Sequence, residues 1–258
     1  MEKKNSTFVK FNEQIFPKPL GTDYDLIGGK VYLLKESPYS DDLYMEEDKD
    51  FEFPAKHYLG EEDKKFVNKV INTFNNTSKL TTGTLLSGMK GSGKTLMAKY
   101  IAKESKLPII VVDKGVHADN IEGFFSKVTT DVCVILEEID KYWSTRYLLG
   151  FLDGVKPSCK KLVLCTCNDE SEIDEYLNDR CSRIRYKKNF SCLTKDAVFG
   201  ILNDMLDDSE KAKSATEFIY GAIKVISYDN VIIFGEEIKN NPDETYEDII
   251  ADMNIEKK

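Results

Sequence analysis

Residues 63–74 (DKKFVNKVINTF) place Phe66, Val67, Val70, Ile71 and Phe74 on one side of a helix. Short apolar runs rich in β-branched residues then recur at 83–87, 108–112, 132–136, 161–166 and 183–186. Amphipathic stretches at 95–104, 120–127 and 141–152 lie between them and predict helices. Strands that are apolar almost throughout, alternating with helices, predict a parallel sheet covered on both faces, an α/β fold. Beyond Leu193 the strand pattern stops. Residues 194–205, 209–225, 228–240 and 243–253 predict helices.

The first sixty residues read differently. They hold four of the seven prolines, a Gly28-Gly29 pair and an acidic stretch from Asp41 to Glu52. Leu26 and Ile27 before the glycines, with Val31, Leu33 and Leu34 after them, predict a small β-hairpin turning at Gly28-Gly29. The acidic stretch, which carries Tyr44, Met45, Phe51 and Phe53, reads as an ordered loop or strand rim with a solvated face.

Composition narrows the classes. The longest apolar runs, 107–112 and 132–136, fall far short of the ~20 residues a membrane helix needs. The opening MEKKNSTFVKFNEQ lacks the apolar centre of a secretory signal. A membrane or exported protein is therefore not expected. Forty-five acidic against 36 basic residues give a net charge of −9, which disfavours nucleic acid as a partner drawn by the whole-protein field but leaves a local basic groove open. The six cysteines form no C-x-x-C pair and only two histidines, His57 and His117, are present. This spacing argues against zinc and for free thiols in a reducing compartment.

The sharpest chemical signal is GMKGSGKT, residues 88–95, which fits G-x-x-x-x-G-K-[ST] between a strand and a helix. Gly88, Gly91 and Gly93 let the backbone bend so that consecutive N–H groups face phosphate oxygens. The helix that follows adds its partial positive charge. Lys94 supplies a cation for the β- and γ-phosphates, and the Thr95 hydroxyl is a magnesium ligand.

Hydrolysis of a bound nucleotide needs further groups. VCVILEEID, residues 132–140, is an apolar strand ending in carboxylates. Glu137 fits a magnesium-orienting acid and Glu138 the group that polarises the attacking water; an ordinary acidic turn is the alternative. Asn168 follows the apolar strand of KKLVLCTCNDE, where ligands of open α/β sheets bind. It fits a hydrogen-bonding partner of the water or γ-phosphate, or a turn residue. Arg180 and Arg183 fit cations that stabilise transition-state charge. Equally, Arg180, Arg183, Arg185, Lys187 and Lys188, five cations in nine residues, form a basic surface patch or a nucleic-acid contact.

Taken in order, these motifs resemble the AAA+ ATPases over residues 58 to about 240. GMKGSGKT resembles their Walker A, LEEID (136–140) their Walker B, TCN (166–168) their sensor 1, and RCSR (180–183) their arginine-finger segment. FLDG (151–154) is similar to a stretch of the mitochondrial-chaperone-like and proteasome-like members. Among known groups the chain most resembles AAA ATPases of large-genome tailed phages, through its short N-terminal hairpin and the S-Y-D of Ser227–Asp229.

The resemblance implies a P-loop core with a five-stranded parallel sheet (58–190), a small helical lid (191–258) and a β-rich N-terminal appendage (1–57). It implies ATP and Mg2+, a homo-oligomeric ring, usually a hexamer, and a cytoplasmic setting, that of a host cell if phage-encoded. Nucleotide contacts would come from Gly88, Lys90, Gly91, Ser92, Gly93, Lys94, Thr95 and Leu96, with Tyr58 and Gly60 near the adenine. Thr95 and Glu137 would hold the metal. Glu138 and Asn168 would act on the water, with Arg180 and Arg183 reaching a neighbouring subunit's nucleotide.

Several positions depart from that pattern. Glu137 stands where the family has aspartate, and Cys181-Ser182 replaces the usual residues between the arginines. DKGVHADNIEGFF, 113–125, lacks the aromatic of substrate-threading members, and no sensor-2 arginine is found in the lid. The expected activity is ATP hydrolysis that remodels or assembles a complex with an unidentified protein client. A clamp-loader-like or helicase-loader-like role on nucleic acid and a nucleotide-gated scaffold are the alternatives.

Overall fold

The computed structural model describes residues 8–11, 14–17, 24–37, 42–53, 60–153, 159–173, 175–178 and 181–258. Strands β1 (Phe8–Phe11) and β2 (Gln14–Pro17) pair antiparallel with each other as a separate ribbon. β3 (Val31–Glu36) and β4 (Leu43–Glu47) precede α1 (Glu61–Asn76). The core then alternates: β5 (Thr81–Gly88), α2 (Lys94–Ser105), β6 (Ile109–Val112), α3 (Ala118–Phe125) and β7 (Val132–Leu136). α4 (Ile139–Tyr142), α5 (Thr145–Asp153), β8 (Lys161–Cys167), α6 (Glu175–Asn178) and β9 (Ile184–Phe190) complete it. Four helices follow: α7 (Lys195–Leu206), α8 (Ser209–Ala222), α9 (Tyr228–Asn240) and α10 (Tyr246–Asp252).

The main sheet has seven strands in the order β4-β3-β6-β7-β8-β5-β9, where five were expected. The five expected strands, β5 to β9, are present and mutually parallel. The two extra ones come from the N-terminal region. β3 lies parallel to β6, and β4 lies antiparallel to β3. Val31, Tyr32 and Leu34 are buried, so β3 covers apolar surface as well as the open hydrogen-bonding edge of β6. β4 (LYMEE) then forms a charged outer edge, of a kind that discourages further pairing.

The hairpin expected at Gly28-Gly29 turns elsewhere, between β3 and β4, where the Ser37 N–H donates to the Asp42 carbonyl at 2.9 Å. Gly29, at φ +79°, instead donates to the Leu107 carbonyl at 2.9 Å and fastens the entry of β3 to the α2–β6 connection. The acidic stretch expected as a loop or rim is thus partly the strand β4.

Alternation within the buried strands explains the two layers. In β7, Val132, Val134 and Leu136 face a cluster containing Phe125, Leu148 and Phe151. Cys133 and Ile135 face the opposite cluster, with Val67, Val70, Met97 and Ile101 of α1 and α2. Cys133, Cys165 and Cys167 are buried, and burial raises their thiols, those of Cys165 and Cys167 to about 12. The single helix expected over 141–152 breaks at Trp143, which is extended and buried, its indole N–H donating to the Glu137 carbonyl at 3.3 Å.

The C-terminal helices form a third apolar cluster, around Ile201, Leu202, Ile219 and Phe234. Their starts are capped by the side chains of Thr194, Asp208, Ser227 and Thr245, each cap being worth about 1 kcal/mol. Among the described residues no helix is long and apolar enough to cross a membrane.

Candidate functional site

The carboxyl ends of β5, β6, β7 and β8 open onto one cavity of about 470 Å³. Its floor is the turn from β5 into α2. Gly88, Gly91 and Gly93 have φ of +133°, +70° and +96°, a left-handed path that residues with side chains resist. A Cβ on Gly88 would lie 2.1 Å from the Phe190 carbonyl oxygen, so this position needs glycine for space as well.

Lys94 opens α2 and is buried, its Nζ donating to the carbonyls of Gly88 and Met89 at 2.6 Å each. Burial holds this ammonium below the usual lysine range, against the opposing pull of Asp140 and Glu138. The Ser92 hydroxyl is buried and has no hydrogen-bond partner among the described residues. An orphaned hydroxyl, a cation bonded only to carbonyls and a run of left-handed glycines together fit an anion seated in the turn.

Glu138 and Asn168 meet on the opposite wall. Glu138 follows β7 at φ +50°, a strained conformation for glutamate, which costs of order 1–3 kcal/mol and clusters at functional sites. Its backbone N–H donates to the Thr166 hydroxyl at 2.9 Å. Its Oε1 accepts from the Asn168 amide at 3.1 Å and its Oε2 from the Lys114 ammonium at 2.9 Å. The Lys114 hydrogen bond, with a smaller contribution from Asn168, holds the Glu138 carboxyl below the usual range. Asp140 orders this wall from behind, one carboxylate oxygen accepting the backbone N–H groups of Asn168 and Asp169 at 3.0 and 3.1 Å.

Thr95 and Glu137 line the same cavity. A hydroxyl and a carboxylate are hard oxygen donors that suit magnesium, which in phosphate sites takes few protein ligands and completes its shell with phosphate oxygens and water.

A second cavity, of about 680 Å³, continues from the first across Ser92, Gly93, Leu96 and Tyr228. Met97, Phe190, Leu193 and Ile201 give it an apolar lining, and Gly60, at the start of α1, stands at its rim. A charged chamber joined to an apolar one matches a ligand with phosphates at one end and a flat ring at the other. Lys90 and Leu96 line the charged chamber.

Two of the expected residues, Tyr58 and Arg180, lie outside the described residues. Arg183, expected to reach a neighbouring subunit's nucleotide, is bonded within its own subunit. It is buried, and its guanidinium donates to both carboxylate oxygens of Asp153 in its own subunit, at 2.8 and 2.6 Å, and to the Tyr176 carbonyl. These bonds tie Arg183 to α5 within its own subunit.

Sequence reasoning missed Lys114, and named Thr166, Tyr228, Asp229 and Asp140 only within longer motifs, without a role in the site. Lys114 stands just past the end of β6, a position that the rule for open α/β sheets singles out. Its grip on Glu138 has a testable consequence. Lys114→Met is expected to raise basal turnover of a bound nucleotide by about threefold, because the carboxylate loses a competing cation. The acid limb of the pH–rate profile should move upward, since the depressed Glu138 carboxyl returns toward its ordinary value and is protonated at higher pH. Stopped-flow phosphate release between pH 5 and 8 tests both.

Comparison with known proteins bears on the family and the fold. Residues 84–189 match the model of the ATPase family associated with various cellular activities (AAA), so the chain contains an AAA family domain. A solved structure of the Thermotoga maritima RuvB Holliday junction branch migration motor has a similar fold, with a TM-score of 0.56 at 17% identity. The similarity covers 71% of this chain and 63% of that one. No curated protein matches the sequence.

Proposed function

We propose that this chain, through its AAA domain, binds ATP with magnesium across the two joined cavities and hydrolyses it, in a homo-oligomeric ring that remodels or assembles a macromolecular complex. The observation that carries the reading is the convergence of Glu138 and Asn168 on the cavity that also holds Lys94 and Thr95. Backbone N–H groups of the glycine turn and the Lys94 ammonium bind the phosphates. Thr95 and Glu137 hold magnesium, which when bound neutralises phosphate charge. Glu138 takes a proton from the attacking water, and Asn168 fixes the direction of that carboxylate. Arg180 is the candidate for a cation offered to the adjacent subunit. The resemblance to AAA ATPases of large-genome tailed phages supports a cytoplasmic setting in an infected host.

A second reading, a motor or loader acting on nucleic acid, draws on the likeness to a branch migration motor and on the exposed Arg185 and Lys187 of the outer strand β9. One experiment tests both. Phosphate release with ATP and magnesium is measured per subunit across protein concentration, with and without DNA. A specific rate that climbs with concentration supports sites completed between subunits. Stimulation by DNA that falls steeply with salt favours the second reading. A rate of zero under all conditions, with ATP still bound, refutes hydrolysis and leaves a nucleotide-gated scaffold.

A further inference from the structure

The lid helix α9 begins on the phosphate turn. The Tyr228 N–H donates to the Gly91 carbonyl at 2.7 Å. A Cβ on Gly91 would lie 2.7 Å from Asp229 Oδ2 and 3.4 Å from the Ser227 hydroxyl, so the start of α9 closely approaches the turn, whose φ of +70° at Gly91 favours glycine. Asp229 lines the charged chamber together with Lys90 and Lys94. Its carboxylate makes no hydrogen bond or ion pair among the described residues, and the capping of α9 is done by Ser227, which accepts from the Asn230 N–H at 3.1 Å. An acidic side chain thus faces a chamber shaped for polyanions without being needed as the cap of its own helix.

Building on the nucleotide-binding reading above, we infer that Asp229 is a specificity residue that makes the phosphate turn favour metal-complexed over metal-free nucleoside triphosphate. The argument is electrostatic. A metal-free triphosphate carries about twice the negative charge of its magnesium complex, so a fixed carboxylate on the chamber wall repels it about twice as strongly. Lys90 and Lys94 attract both forms, whereas Asp229 opposes them unequally and so separates them. The same carboxylate sits on the element that closes the chamber, so binding of the wrong form also opposes docking of α9 against Gly91. Asp229 is exposed to solvent, which weakens the effect without changing its sign.

The test is calorimetric titration of the full chain with ATP, once with magnesium and once with EDTA, for wild type, Asp229→Asn and Asp229→Glu. Asp229→Asn is expected to tighten metal-free ATP about tenfold and magnesium ATP about threefold, narrowing the preference. Asp229→Glu, which keeps the charge, should retain the wild-type preference. Thermal unfolding of the same samples checks that α9 remains folded. If Asp229→Asn changes both affinities by the same factor, weakens both, or changes neither, the inference is overturned and Asp229 serves the N-terminal dipole of α9 alone. A wild-type chain that binds neither form of ATP overturns the nucleotide-binding reading itself, a result distinct from any of these.

Discussion

Glu138→Gln is expected to bind ATP with near wild-type affinity and to lose turnover by about three orders of magnitude, within the range attributed to a general base. That loss corresponds to about 4 kcal/mol of transition-state stabilisation. Glutamine matches the shape of glutamate and leaves the backbone hydrogen bond to Thr166 in place, so the strained turn after β7 is retained. It can also accept from Asn168, as the carboxylate does. What it lacks is a basic oxygen to take a proton. Lys114 loses a charged partner, but its side chain is 44% exposed and can turn to water. Phosphate release measured beside equilibrium nucleotide binding checks the prediction. Turnover within a few-fold of wild type would mean that the proton goes elsewhere.

The part of the fold that could be read from the sequence is the part written in contiguous residues. β7 is five apolar residues buried on both faces, and such a run with helices on either side has one architectural solution. The N-terminal strands could not be placed in the same way. VYLLKE has the same local pattern whether it pairs in an isolated hairpin or extends a larger sheet, and its partner β6 lies more than seventy residues away. Gly28-Gly29 carried a true turn signal, but the turn serves a close approach to Lys106, whose carbonyl oxygen would lie 2.6 Å from a Cβ on Gly28. Trp143 ends α4 because its indole is drawn into the core, a tertiary event that helical periodicity does not register.

The same division holds in the site. Gly88 to Thr95 lie in one local motif, and Glu137, Glu138 and Asn168 at strand ends, where position along the sequence and position in space agree. Lys114 reaches the same chamber from a distant segment and belongs to no motif, and Asp229 reaches it from an S-Y-D stretch whose pattern alone assigns it no role in the site. Arg183 shows what a run of cations leaves open. Five cations in nine residues suggested a common solvated surface, yet Arg183 is buried whereas Arg185 and Lys187 are exposed. What separates them is Asp153, thirty residues earlier on α5, whose carboxylate lies where the guanidinium needs it.

That pair gives the prediction with the largest expected effect on stability. Asp153→Ala should destabilise the chain by about 3 kcal/mol, the lower end of the cost of removing one partner from a buried ion pair. The lower end applies because Asp153 retains 29% of its side-chain exposure, against 8% for Arg183. The guanidinium would stay enclosed under α5 without its bidentate carboxylate, and the cost of holding it there is most of the loss. Arg183→Met should cost less, because the more exposed Asp153 can turn to water while the methionine stem fills the space. Combined with Asp153→Ala it should recover part of the stability, a coupling that a double-mutant cycle reads directly. Urea unfolding is the measurement, with a lower midpoint and an unchanged slope expected. The alternative role predicts a different pattern. If Arg183 acted on a neighbouring subunit's nucleotide, Asp153→Ala would free the arginine and leave stability nearly unchanged, while Arg183→Met would abolish turnover in a stable chain. The pair joins α5, which packs on the sheet, to the entry of β9. Loss of turnover in Asp153→Ala should therefore follow loss of stability, and urea concentrations too low to unfold wild type should expose it first.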